Sequence, residues 1–194
     1  MTYNFMASKS NKDKLQDFLC SSWEKIESPQ SPTTNIYLSG GYADEMKNIC
    51  ITPAGIINVP DLASCQEECD TRIVLHAIYS VQKLGVIRVV VHGNDTDIVV
   101  LLVYYASTLM SGIELWVRKS SDQWIPVHEL ATKLGPDDCK LQPFLYAFSG
   151  KDDVSFLYGI DNTKVLKLRN QLDCSVLQIV MEKTTIMMSR MNCS

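Results

Sequence analysis

Acidic residues sit beside turns at three places in this chain, and carboxylates so placed either hold hard divalent cations or cap helices. In HGNDTD, Asp95 and Asp97 follow the run VIRVVV, whose stiff β-branched residues suit a central strand covered on both faces by helices. They therefore stand at the carboxyl end of a strand, where open α/β sheets bind ligands. Crowding two carboxylates is costly unless a cation neutralises them. The plainer alternative makes Asp95 the cap of the next helix, with Asp97 in its first turn, favoured there by the dipole. The second place is SCQEECDTR, where Ser64 and Glu67 match a capping box that opens a helix to about Lys83. Ile73, Val74, Ala77, Val81 and Leu84 form its apolar stripe, and running the stripe backwards puts Asp70 and Glu67 on the inward side, with Asp70 ranked first. Glu68 points elsewhere, four residues before Arg72, as a surface ion pair would. At the third place, Asp152 and Asp153 follow the glycine turn of SGKDD.

The remaining elements must position these acids. Residues 12–26 carry Leu15, Phe18, Leu19, Trp23 and Ile26 at helical spacing, ending before Pro29. NIYLSG and NICITP predict two short strands joined near Gly40 and Gly41, and 54–62 a loop with a brief extended piece. After the valine strand, 97–110 predicts a helix, IELWVR a strand, 126–134 a short helix stopped by Gly135 and Pro136, and 141–148 a further apolar stretch ending at Ser149 and Gly150. Alternating strands and helices predict an α/β fold, a three-layer α/β/α arrangement with a mostly parallel central sheet. The expected division is an N-terminal helix and loop over 1–34, an α/β domain over 35–170 and a helical tail over 171–194. The stretch 164–194 has a basic balance, with Lys164, Lys167, Arg169, Lys183 and Arg190 against Asp173 and Glu182, and reads as a solvated helical face, with a contact surface for anions as the alternative.

Length and composition bound the function. With 194 residues, 46% hydrophobic, the chain can bury one sizeable core. A net charge of -4 gives no global basic field for nucleic acid and counts against a stand-alone nuclease. No apolar run approaches the roughly 20 residues of a bilayer span. MTYNFMASKSNKDK has no apolar signal segment, so the expectation is an intracellular protein of nucleus or cytoplasm with no membrane partner. Seven scattered cysteines without a C-x-x-C pair suit a reducing compartment. Cys65 and Cys69 share a helix face and with His76 offer a soft-metal set, but free cysteines behave as small buried hydrophobes and two stacked core cysteines are the favoured reading.

The order of the acidic segments, EECDTRIVLHA, then VVVHGNDTDIVVLL, then AFSGKDDVSFLYGI, resembles the PIN-like nuclease superfamily, including its flap-endonuclease and NYN branches. It is also similar to uncharacterised transposon-associated eukaryotic proteins with motifs such as EEADTR, DTDV and SGCDTTS. The resemblance spans about 64–168 and implies a PIN-like fold in which Asp70 is the helix-borne acid, Asp95 and Asp97 the strand-end pair and Asp152 the acid after the glycine turn. Glu67 or Glu68 would be an additional metal ligand. YGIDNTKVLKL is similar to the family's hairpin that holds a nucleic-acid backbone, at Gly159, Ile160 and Lys164, with Asp161 and Asn162 in place of Gly and Pro. Family members carry a first aspartate on an opening strand; no equivalent stands out before Ser64, where Asp44 and Asp61 lie in apparent loops, so the alternatives are a fragment whose site a missing N-terminal segment or a protein partner completes, and a degenerate copy. Lys151 stands where relatives have a neutral residue and can take a metal's place through an ion pair.

The implied activity is hydrolysis of DNA or RNA phosphodiesters at a site of two Mg²⁺ or Mn²⁺, which suit oxygen ligands. The alternatives are a catalytically inactive PIN-like module that binds nucleic acid or protein, and a plain interaction domain whose acids are caps and surface charges.

Overall fold

In the computed structural model, which describes residues 8–25, 33–42, 44, 46–64 and 69–148, the valine run is a strand at an edge. β4 (Arg88–His92) pairs in parallel with β5 (Glu114–Arg118), and β5 pairs antiparallel with β6 (Trp124–Pro126), giving the order β4-β5-β6. Side chains alternate across a strand. Val91, Leu115 and Val117 are buried on one face, whereas Val90 on the other is 41% exposed. The expected helical cover on both faces is therefore not found among the described residues, because the helical core gathers on the Val91 side alone. The fold is mixed α/β, with five helices and two three-stranded sheets among the described residues. A mostly parallel central sheet is not present among the described residues, since the β4–β5 pairing is the one parallel ladder.

The chain divides into two compact units, Met1–Glu67 and Glu68–Ser194. In the first, α1 (Lys9–Glu24) accompanies an antiparallel sheet of β1 (Ile36–Ser39), β2 (Asn48–Thr52) and β3 (Gly55–Asn58). Two polar contacts tie α1 to the sheet: the Cys20 thiol donates to Gly40 O at 3.4 Å, and Lys47 Nζ donates to Glu24 Oε1 at 2.6 Å. Gly41, at φ 77°, sits where any Cβ would run into the Gln16 side chain. The extended piece expected in 54–62 is β3, followed by a 3₁₀ turn at Pro60–Leu62.

The second unit holds α2 (Cys69–Gln82), α3 (Thr96–Ala106), α4 (Val127–Leu134) and α5 (Pro136–Phe148) with the β4-β5-β6 sheet. α3 packs on α2, α4 and α5, and its Ile98, Leu102, Val103 and Ala106 are buried. It is shorter than expected: after Ala106 the chain leaves the helix, with Leu109 N and Met110 N both donating to Tyr105 O. α5 starts five residues before the expected stretch, at a proline whose missing N–H is no loss at a first helical position. On α2, Val74 and Ala77 are buried as the stripe predicts, but Cys69 is exposed. That corrects the stacked-cysteine expectation: position 69 is the first residue of the helix and precedes the core-facing turns. Cys65, Glu67 and the capping-box half that depends on it lie outside the described residues, as do the glycine-turn acids and the basic tail. No described helix is long and apolar enough to cross a membrane.

Burial, reinforced by the Arg72 charge one turn away, pushes the His76 imidazole below its ordinary value. A base whose folded value is lowered takes up protons on unfolding. Its stabilising contribution is therefore complete above the ordinary imidazole value of about 6.5 and is lost as pH falls through the lowered one. Denaturant midpoints should fall as pH drops below about 6.5, with at most ~1.4 kcal/mol per pH unit from this one group, and His76→Gln should flatten that limb. An unchanged slope in the variant would assign the acid sensitivity elsewhere.

Candidate metal centre

Three of the predicted acids meet. Asp70, Asp95 and Asp97 each direct one carboxylate oxygen into a cluster whose members lie within 4.8 Å of one another. Each is delivered by a different local device. Asp70 occupies the first turn of α2, one turn before buried Val74, so the inward stripe carries it to the core side. Asp95 is the N-cap of α3: at φ −76° and ψ 139° its backbone is extended, and its Oδ1 accepts the Asp97 N–H at 3.1 Å. Asp97 lies two residues further on and is 7% exposed.

Gly93 sets the approach. Its N–H donates to Arg118 O at 3.2 Å, which ties the turn to the end of β5. A Cβ on Gly93 would stand 2.5 Å from Ile98 Cδ1, a side chain already buried in the core. A side chain there would displace the Ile98 terminal methyl, so the strand end lies close against the first turn of α3.

The charges oppose this arrangement. At 4.8 Å, two carboxylates repel by roughly 1–3.5 kcal/mol, for effective dielectrics between bulk water and 20. Three acids make three such pairs. The N-termini of α2 and α3 both favour negative charge, but each offsets only about 0.3–1 kcal/mol at ordinary exposure. A dication placed among the three oxygens would turn that repulsion into attraction. The donor set fits one chemically: all three atoms are carboxylate oxygens, which suit Mg²⁺ or Mn²⁺ and not soft metals. It fits in size as well, since two opposite ligands on Mg²⁺ are ~4.2 Å apart, so sub-ångström adjustment or one bridging water would close the sphere.

The cap and cluster readings of Asp95 and Asp97 thus hold together, because a carboxylate that accepts one N–H through Oδ1 keeps further lone pairs. The other residues proposed from sequence, Glu67, Glu68, Asp152, Gly159, Ile160 and Lys164, lie outside the described residues. Sequence reasoning missed β6 and the charged groove that its hairpin forms. His92, Gly93, Asn94, Arg118, Lys119, Ser120 and Ser121 line this groove of about 490 Å³, which reaches the residue before Asp95. The signal was the turn-forming Ser120-Ser121-Asp122 between two aromatic-bearing segments.

No protein-family model, curated protein or solved structure matches the chain.

Asp95→Asn separates the two roles, since an asparagine oxygen still caps a helix. The variant without metal is expected to melt no lower than the wild type. Saturating Mn²⁺ at about 100 times its Kd should raise wild-type stability by ~2.7 kcal/mol and the variant's by much less. Equal Mn²⁺ shifts in the two proteins, or none in either, would remove the metal assignment.

Proposed function

We propose that the unit Glu68–Ser194 is a divalent-metal-dependent nuclease domain of PIN-like type, acting on phosphodiester bonds of DNA or RNA. The observation that carries this reading is the gathering of Asp70, Asp95 and Asp97 within 4.8 Å at the carboxyl end of β4. Support also comes from the parallel β4–β5 ladder, with α3 lying between the two strands in sequence. Asp70, Asp95 and Asp97 would hold the ion, with Asp152 as a further ligand if the family pattern extends to it. A bound Mg²⁺ or Mn²⁺ supplies Lewis-acid polarisation of the phosphate and a water of lowered pKa.

The residues themselves have distinct tasks. Asp97, buried and anchored in the first turn of α3, is the rigid ligand. Asp95 is exposed, so it lies where substrate and solvent approach. Its accepted N–H bond holds the carboxylate orientation before any ion arrives, which reduces the reorganisation that binding requires. Asp70 closes the cluster from α2, and its side chain has to move little because the helix start is fixed by Val74 in the core.

A second reading, a PIN-like module that binds nucleic acid or protein without turnover, is favoured by the helix-capping bond of Asp95, which gives that acid a structural reason to be present without catalysis. Incubation with single-stranded DNA and RNA distinguishes the two. The nuclease reading expects cleavage in Mn²⁺ that stops with EDTA and falls at least about 100-fold in Asp95→Asn, the range seen when an electrostatic contributor to a transition state is removed. Cleavage that survives both treatments would contradict it. Absence of cleavage with nucleic-acid binding retained would favour the inactive module.

A further inference from the structure

The face of the β4-β5-β6 sheet opposite its buried core carries a row of side chains that the metal centre does not use. Register places His92 opposite Arg118 and Arg118 opposite Trp124, so the three stand side by side across all three strands on one face. His92 is exposed, Trp124 is 44% exposed, and Lys119 follows at the rim of the same groove. The hairpin turn fixes the pair at its centre. Arg118 Nε donates to Ser120 O at 3.2 Å, Trp124 Nε1 donates to Ser121 O at 3.4 Å, and the guanidinium lies 5.2 Å from the Trp124 ring centroid. The bond to Arg118 engages Nε, which leaves the Nη groups as the part of the fork that meets an anion. In a chain with net charge -4, such a cationic and aromatic surface is a local departure from the average.

We infer that this row is a binding track for single-stranded nucleic acid, with a base stacked on Trp124 and the backbone phosphates held by Arg118 and Lys119. This deepens the proposed function and rests on it for the choice of partner. Charge complementarity favours a polyanion, and the indole favours one with planar bases, since stacking on an aromatic ring accepts any base and cations follow the backbone. Duplex DNA hides its base faces and has no use for Trp124. Asn94, the neighbour of Asp95 in sequence, lines the groove together with Arg118 and Lys119. Sequence-tolerant binding is expected, because nothing in the row reads a base edge.

The test measures binding by fluorescence anisotropy of a labelled (dT)12 strand with the full chain in EDTA and low salt, so that it requires neither metal nor turnover. Trp124→Ala should weaken binding about tenfold and Trp124→Phe much less, as a stacked base requires. Arg118→Ala with Lys119→Ala should weaken it further and lower the slope of log affinity against log salt by about 1.4, two phosphate contacts on a single strand. Variants are compared only where their melting curves match the wild type, and the exposed-ring change Trp124→Phe guards against a folding artefact. Unchanged binding in both the Trp124→Ala and the double variant would overturn the inference. So would equal affinity for a duplex of the same length, or competition by polyglutamate as effective as by an oligonucleotide of equal charge, which would make the surface a protein-docking site. Binding that follows these expectations in a protein without nuclease activity keeps the track and rejects the catalytic reading; cleavage with unaltered binding in the variants does the reverse.

Discussion

The second unit depends on bringing three carboxylates together at the carboxyl end of β4 against their mutual repulsion. Strand, turn and two helix starts each contribute. The β-branched residues of β4 hold an extended backbone, the tight turn at Gly93 drops the chain onto α3, and Asp95 caps that helix while Asp97 enters the core side. α2 supplies the third acid from its first turn because Val74 and Ala77 fix the rotation of the helix about its axis. The N-termini of α2 and α3 soften the repulsion. The acids are held by backbone geometry and core packing, and their oxygens lie close enough to share one ion.

The sheet shapes what surrounds that centre. Among the described residues the helical core gathers on the Val91 face. The same alternation that buries Leu115 and Val117 turns His92, Arg118 and Trp124 to the other face, where His92 and Trp124 are exposed. A positively charged and aromatic strip beside an acidic, metal-suited cluster is a coherent pairing: one part attracts a polyanion, and the other, once neutralised, tolerates its phosphate. The acidic average charge of the chain conceals this division.

Much of the site was legible because it rests on local rules. The capping propensity of Asp95, the first-turn position of Asp97 and the helical stripe that turns Asp70 inward are all read within a dozen residues. The sheet's edges were not legible. VIRVVV carries no alternation, so its hydrophobicity suggested cover on both faces, yet Val90 is exposed while Val91 is buried; which face a strand buries is decided by partners far along the chain. β6 escaped notice because WIP is three residues long and its pairing with β5 is a matter of register, which a short apolar segment does not specify. Cys69 was misplaced because helix periodicity says which side a residue faces and not whether the neighbouring segment covers it.

The central claim is that the three acids form one cation site, and counting bound Mn²⁺ tests it most directly. Titrating the chain into Mn²⁺ while following the free-ion electron paramagnetic resonance signal should show stoichiometric loss of that signal in the wild type. The loss should be suppressed in Asp97→Asn, the variant that removes the buried member of the cluster. A wild-type protein that leaves the free-ion signal untouched, or an Asp97→Asn protein that binds Mn²⁺ as well as the wild type does, would contradict it.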